Sequence, residues 1–200
     1  MVEFLNEQMS PAEVLALEIK QYSSKEHKTL IPRVYGQTSK TQTRKNKTPS
    51  RQWDEASFIA ELGERNGQEA TMIAKRIIDW AISRDLRLWW GKGSQTGTLL
   101  PMIDHLGEPY WSFAIATYGK LEIQFQYMRT HPPYNDPDKR LKLLNQINSI
   151  PSVNIPQDGI ERRPSINLTA LSSHEYLETF LKIWDEYIEE IKTTKKNIKN

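Results

Sequence analysis

Two hundred residues suffice for one domain with a smaller attachment, and 27 Lys and Arg against 25 Asp and Glu leave a net charge of +2, too little to imply a polyanionic partner by itself. Cysteine is absent, which excludes disulfides, thiolate metal sites and thiol nucleophiles. No apolar run approaches the roughly 18 residues of a membrane span, and the N-terminus lacks the basic-then-apolar order of a signal segment, so the expectation is a cytoplasmic protein with no membrane contact.

In chain order, residues 2–9 read as a short helix and residues 12–22, AEVLALEIKQY, as a strand in which Leu15, Leu17 and Ile19 oppose Val14, Ala16 and Glu18, although their Ala, Leu, Glu and Lys would equally tolerate a helix. A helix and a strand with nothing before them bury little, so residues 1–36 are expected to be a helix–strand unit that packs on another surface. From His27 to Trp53 there are seven basic residues and no acidic one. The stretch 37–52 lacks apolar periodicity and reads as a basic flexible linker carrying Lys40, Arg44, Lys45, Lys47 and Arg51. Such a segment is either a polar spacer or a mobile arm for phosphates, which need charge rather than fixed geometry.

Residues 53–200 are expected to form an α+β domain. A helical pair, 54–62 and 68–83, is joined by a turn that Gly63 and Gly67 bracket, with Phe58, Ile59 and Leu62 and then Ala70, Ile73, Ala74, Ile77, Trp80 and Ala81 on the apolar stripes. Trp80 lies on a stripe and is read as core. Residues 84–128 then read as about four antiparallel strands. Leu86, Leu88 and Trp90 alternate with Arg87 and Trp89; Trp111, Phe113 and Ile115 alternate with Ser112 and Ala114; Leu121, Ile123, Phe125 and Tyr127 alternate with Glu122, Gln124 and Gln126. Tyr118-Gly119-Lys120 spells a hairpin turn. Asp136-Pro137 starts a further helix as cap and first residue, and Pro151 ends it. Residues 150–171, broken by Pro151, Pro156 and Pro164, read as a long loop or two edge strands. Ser172 with Glu175 spells a capping box for a last helix whose apolar residues, Tyr176 to Ile191, must dock on something.

Catalytic motifs are weak. Glu18-Ile-Lys20 matches half of a metal-dependent nuclease motif but lacks the upstream aspartate that would complete it. His105 follows Asp104 at a strand end, where a base could sit, and a small-molecule enzyme would need a deep pocket between His105 and the Gly91–Gly97 loop. That loop is basic and reads as flexible, but it lacks the GxxxxGK[ST] order of a nucleotide loop. No metal and no cofactor are expected. The combination with more content is aromatic and cationic: Trp89, Tyr110 and Tyr118 are out of phase with the core set, while Arg87, Lys92 and Lys120 lie on turns or the same sheet face, and Arg162 and Arg163 lie in the long loop. Aromatics interleaved with cations on a sheet hold bases or single strands without catalysis. If helices covered both sheet faces, these aromatics would instead be core.

The phrases VEFLNEQMSPAEVLALEIKQY, KTLIPRVYGQT, LRLWWGKG, LEIQFQYM, HPPY and RRPSINLTAL resemble the C-terminal part of bacterial proteins of uncharacterised function, which in turn resemble restriction-endonuclease-like, nucleic-acid-binding proteins. The resemblance implies the end of a nuclease-like domain, without its metal-binding carboxylates, joined to an accessory domain. Glu18-Ile-Lys20 then falls on a late structural strand. The functional expectation is a non-catalytic, DNA- or RNA-associated accessory protein. The alternative is a protein–protein adaptor or homo-oligomer assembled through the N-terminal strand and the last helix.

Overall fold

The computed structural model describes residues 16–23, 28–35 and 51–194. The chain divides into two units, Met1–Pro49 and Ser50–Asn200. In the first, β1 (Ala16–Ser23) and β2 (Lys28–Tyr35) form an antiparallel hairpin. KTLIPRVY is thus a strand rather than the end of a helix–strand unit, and it supplies the partner that the sequence reading did not provide for β1. Residues paired directly across an antiparallel ladder share a face, so Ile19 and Pro32 lie together with Leu17 two residues along. The opposite face places Glu18 against Arg33, and Glu18 also pairs with Lys20 at 3.8 Å. The helix expected over residues 2–9 lies outside the described residues.

The second unit opens with β3 (Arg51–Gln52), the last two residues of the stretch read as linker, which pairs with β5 (Lys92–Gly93). Asp54 caps α1 (Glu55–Ser83): its carboxylate accepts from the Ser57 N–H at 2.8 Å, and its own N–H donates to Ser57 Oγ at 3.1 Å. The helix is broken at Gly67, whose φ of 80° is a conformation glycine adopts without penalty, so the expected pair of helices is present as two halves of α1. Trp80 is buried and its indole N–H donates to Asp185.

The main sheet has six strands: β4 (Arg87–Trp90), β6 (Thr98–His105), β7 (Glu108–Trp111), β8 (Phe113–Ala116), β9 (Lys120–Ile123) and β10 (Ser165–Asn167). Its order is β10-β9-β8-β6-β4, all antiparallel, with β7 continuing the line of β8 along β6. The turn at Gly119, with φ 79°, joins β8 and β9 as the sequence predicts.

Between the pairs Met102↔Trp111 and Leu99↔Ile115, β6 advances by three residues and its partner by four. The extra residue is Ser112, a bulge whose hydroxyl donates to Pro101 O at 3.3 Å. A bulge reverses the in–out phase. Tyr110, expected on the open face, is therefore in the core at 7% exposure, whereas Trp111, expected alongside Phe113 and Ile115, packs with Leu100, Met102 and Ala114 on the other side.

The fourth alternating run also ends early. Residues beyond Ile123 form a single helical turn, α2 (Phe125–Met128), because the neighbouring strand leaves β9 at the bulge and no ladder remains on that side. α3 (Pro137–Asn148) starts at Asp136, whose carboxylate accepts from the Asp138 N–H at 2.9 Å. The proline-rich segment is two 3₁₀ turns, Gln157–Glu161 and Leu168–Leu171, flanking β10, and it buries Ile150, Val153 and Ile155. α4 (His174–Thr193) has Ser173 at its N-cap with no side-chain cap bond, so the Ser172–Glu175 box does not form.

Leu177, Phe180, Leu181, Ile183, Trp184, Tyr187, Ile188 and Ile191 of α4 are all buried in one core with α1, α3 and the face of the sheet carrying Leu99, Ile103, Phe113, Ile115, Leu121 and Ile123. The apolar face of the last helix is thus consumed within its own unit. Among the described residues, no helix is long and apolar enough to cross a membrane.

Candidate binding groove on the open sheet face

Helices cover one face of the sheet. The small cluster on the opposite face, Leu100, Met102, Ala114 and the flanking Trp111, contains strand residues alone. Its shape follows from side-chain size. Ala114 and Ala116 of β8 are successive same-face positions near the middle of the sheet, and two methyl groups there leave a trough between the bulkier rows on either side.

The trough is a groove of about 450 Å³. Its floor is Thr98, Leu100, Met102, Ala114 and Ala116, and Trp89 lines it from β4 and Trp111 from β7. Glu122 and Gln124 at the end of β9, with Arg163 just before β10, contribute the polar groups. Trp89 is 44% exposed, a large apolar surface left to solvent.

The polar side is held from behind. The Tyr118 hydroxyl donates to Glu122 Oε1 at 2.8 Å, and burial followed by this bond raises the phenol above its ordinary value. Gln124 is only 4% exposed, and the one hydrogen bond of its side chain among the described residues is a long 3.4 Å contact to Glu122 O. Arg163 is exposed and makes no hydrogen bond or ion pair among the described residues, while its backbone neighbours are fixed: Pro164 O accepts from Ile123 N–H and Arg162 O from Gln126 N–H, both at 2.9 Å.

Trp111 is backed by a parallel ring of Tyr127, centroids 4.5 Å apart and planes within 5°, and Tyr127 in turn stacks on His131 at 3.8 Å. The Tyr127 hydroxyl donates to Pro109 O, and burial pushes this phenol up to about 12. The Trp111 N–H is buried with no acceptor among the described residues, so stacking and shape hold this ring rather than a hydrogen bond.

Of the residues singled out from sequence, Trp89 and Arg163 meet in this groove, and Tyr118 joins them through Glu122. Lys120 is on the same sheet face but is tied to Asn167 Oδ1 at 2.7 Å. Arg87, also on this face, is held in a bidentate pair by Asp104, both contacts at 2.7 Å, which keeps the Asp104 carboxyl below its usual range. Lys92 and Arg51 belong to the small β3–β5 sheet, and the Arg51 guanidinium carbon lies 4.5 Å over the Trp53 ring. Arg162 pairs with Asp158 and does not line the groove. Lys40, Arg44, Lys45 and Lys47 lie outside the described residues. Sequence reasoning missed Trp111, Glu122 and Gln124 as lining residues; the alternation of Ala114 and Ala116 was the signal that could have marked the trough.

Other candidate chemistry is engaged structurally. His105 Nε2 lies 3.0 Å from Thr194 O, and His131 Nδ1 lies 3.0 Å from Tyr127 O. The Gly91–Gly97 loop, expected to be flexible, is tied down instead. Gly93 O accepts from the Trp53 indole at 2.9 Å, Gln95 O from Arg65 at 2.8 Å, and Gly97 N–H donates to Thr117 Oγ1 at 3.1 Å. Neither His105 nor this loop lines the groove. Among the described residues, no group of three His, Cys, Asp or Glu side chains could hold a metal ion.

Fold and site together define an α+β protein with one covered and one open sheet face. Compared with known proteins, the chain matches no family model, no curated protein and no solved structure.

Proposed function

We propose that this is a non-catalytic binding module for single-stranded nucleic acid, with a base lying against the tryptophans of the open sheet face and a phosphate near Arg163. The observation that supports the reading is the groove: exposed Trp89, stacked Trp111 and an arginine without an ion pair among the described residues, around an apolar floor. Aromatic platforms hold bases of any sequence through their π-faces, and one cation per phosphate adds a salt-dependent increment. Duplex DNA is a poorer fit. Among the described residues, Arg76, Arg84, Arg87, Arg129 and Arg162 are already in ion pairs, so a duplex backbone would have to compete with carboxylates for these five.

Fluorescence anisotropy with labelled single strands, RNA and DNA, at low salt tests the reading. Trp89→Ala should cost about 1–3 kcal/mol of binding, the range of one stacked base. Arg163→Gln should lower the slope of log K against log salt by about 0.7. Wild-type protein that binds no single strand at low salt sinks the proposal.

A second reading, a protein–protein adaptor, rests on the β1–β2 hairpin. Leu17, Ile19 and Ile31 are each more than half exposed there, and an isolated two-stranded hairpin is marginal in water. Light scattering that gives a monomer at all concentrations, with no protein retained in a pull-down, argues against it.

A further inference from the structure

The groove is two-sided in its chemistry. Trp89, Trp111 and the floor discriminate little between flat ligands, whereas Glu122, Gln124 and Arg163 present a fixed acceptor, an amide and a cation. Resting on the nucleic-acid reading above, we infer that the groove selects guanine, with Glu122 as the specificity-determining residue.

An ionised carboxylate only accepts hydrogen bonds, and the Tyr118 hydroxyl occupies one side of Glu122 Oε1, fixing the rotamer while Oε2 has no hydrogen-bond partner among the described residues. A base set against this carboxylate must therefore present N–H groups. Guanine offers N1–H and the N2 amino group side by side and so can donate twice to one carboxylate. Its O6 is an acceptor next to them, suited to an amide N–H such as that of the Gln124 side chain, whose one hydrogen bond among the described residues is the 3.4 Å contact to Glu122 O.

Adenine places its unprotonated N1, and thymine or uracil its carbonyl oxygens, where they would face the carboxylate lone pairs, an unpaired and repulsive arrangement that costs more than a missing contact. Cytosine has one amino group, but its neighbouring N3 is an acceptor and the single ring spans less of a trough of this size. Opposite charges on Glu122 and Arg163 fit a ligand that donates through its base and carries a negative phosphate.

The test uses the full chain and a short labelled oligothymidylate in which the central base is thymine, adenine, cytosine or guanine. The guanine strand should bind at least roughly tenfold more tightly than the others, the scale of one good bidentate base contact. Glu122→Gln, which keeps shape but adds a donor and removes the charge, should erase that preference. If this variant does not fold, as judged by circular dichroism, Tyr118→Phe carries the test: it removes the bond that orients the carboxylate and should shrink the preference severalfold. Equal affinity for all four strands overturns the guanine assignment while leaving single-strand binding in place, and so does a preference for cytosine. Failure of every strand to bind overturns the underlying reading as well.

Discussion

Arg140 offers a sharp energetic test of the scaffold behind the groove. It sits on α3 at 3% exposure, a charge almost wholly removed from water. Its guanidinium donates to Tyr134 O at 2.8 Å, Asn135 O at 2.9 Å, Ile160 O at 3.2 Å and Glu161 Oε1 at 2.9 Å. One side chain thus ties the turn before α3 to the 3₁₀ segment that leads into Arg162 and Arg163.

Arg140→Met keeps much of the volume and removes all four bonds. The Tyr134 carbonyl, bonded in a buried setting, should cost about 1–3 kcal/mol when orphaned. The Asn135 and Ile160 carbonyls can recruit water and count for about 0.5–1 kcal/mol each. Glu161 is largely exposed and keeps Arg129 at 3.0 Å, so its share is small. Relief from burying the charge offsets part of the sum. The net expectation is a loss of about 2–4 kcal/mol, read in urea as a lower midpoint with an unchanged slope. Arg140→Lys should recover little, because an ammonium cannot span three separate carbonyls. A loss below about 0.5 kcal/mol for Arg140→Met would refute this, and would place Arg140 among ordinary surface ion pairs.

Gly97→Ala should destabilise by about 1–3 kcal/mol in the same assay, since its Cβ would stand 2.6 Å from the ring of fully buried Trp53. Asp185 supplies a pH test: burial works to raise its pKa, but bonds from Arg84 and Trp80 outweigh that and leave it below 3.8. A carboxyl depressed by folding contributes its stability in full above the unfolded value and loses it as pH falls through the folded one, so Asp185→Asn should flatten the loss of stability below about pH 4. Changing Lys40, Arg44, Lys45, Lys47 and Arg51 together to Gln should weaken all nucleic-acid sequences alike and lower the salt slope by up to about 0.7 per phosphate contact on single strands. An unaltered slope in anisotropy titrations would leave binding to the groove alone.

What could be read from sequence was what a single segment decides by itself. The alternation in β4, the Gly119 turn, the break at Gly67 and the Asp136 cap depend on residues adjacent in the chain, and each is present. The phase of Trp111 depends on how many residues β6 places opposite Ser112, which no local pattern contains. Likewise Phe125 and Tyr127 continue an alternation of two, yet where a strand stops depends on where its neighbour leaves. KTLIPRVY was hidden by Pro32, a residue that argues against a strand, although a hairpin edge tolerates it. For the groove, Trp89 and Arg163 were visible as types, but their meeting with Glu122 and Gln124 required the order of strands.

The borders of the main sheet limit how anything can approach it. β10 has three residues, and β4 and β7, which pairs with β6 alone, have four each, so every rim exposes a short row of unpaired backbone groups. An extended peptide that binds by adding a strand needs a longer template to gain enough main-chain bonds. Short rims also protect the main sheet against edge-to-edge stacking. A ligand docking on this sheet would therefore be met broadside, by side chains rather than by backbone, and its selection would rest on the few residues that stand up from the face.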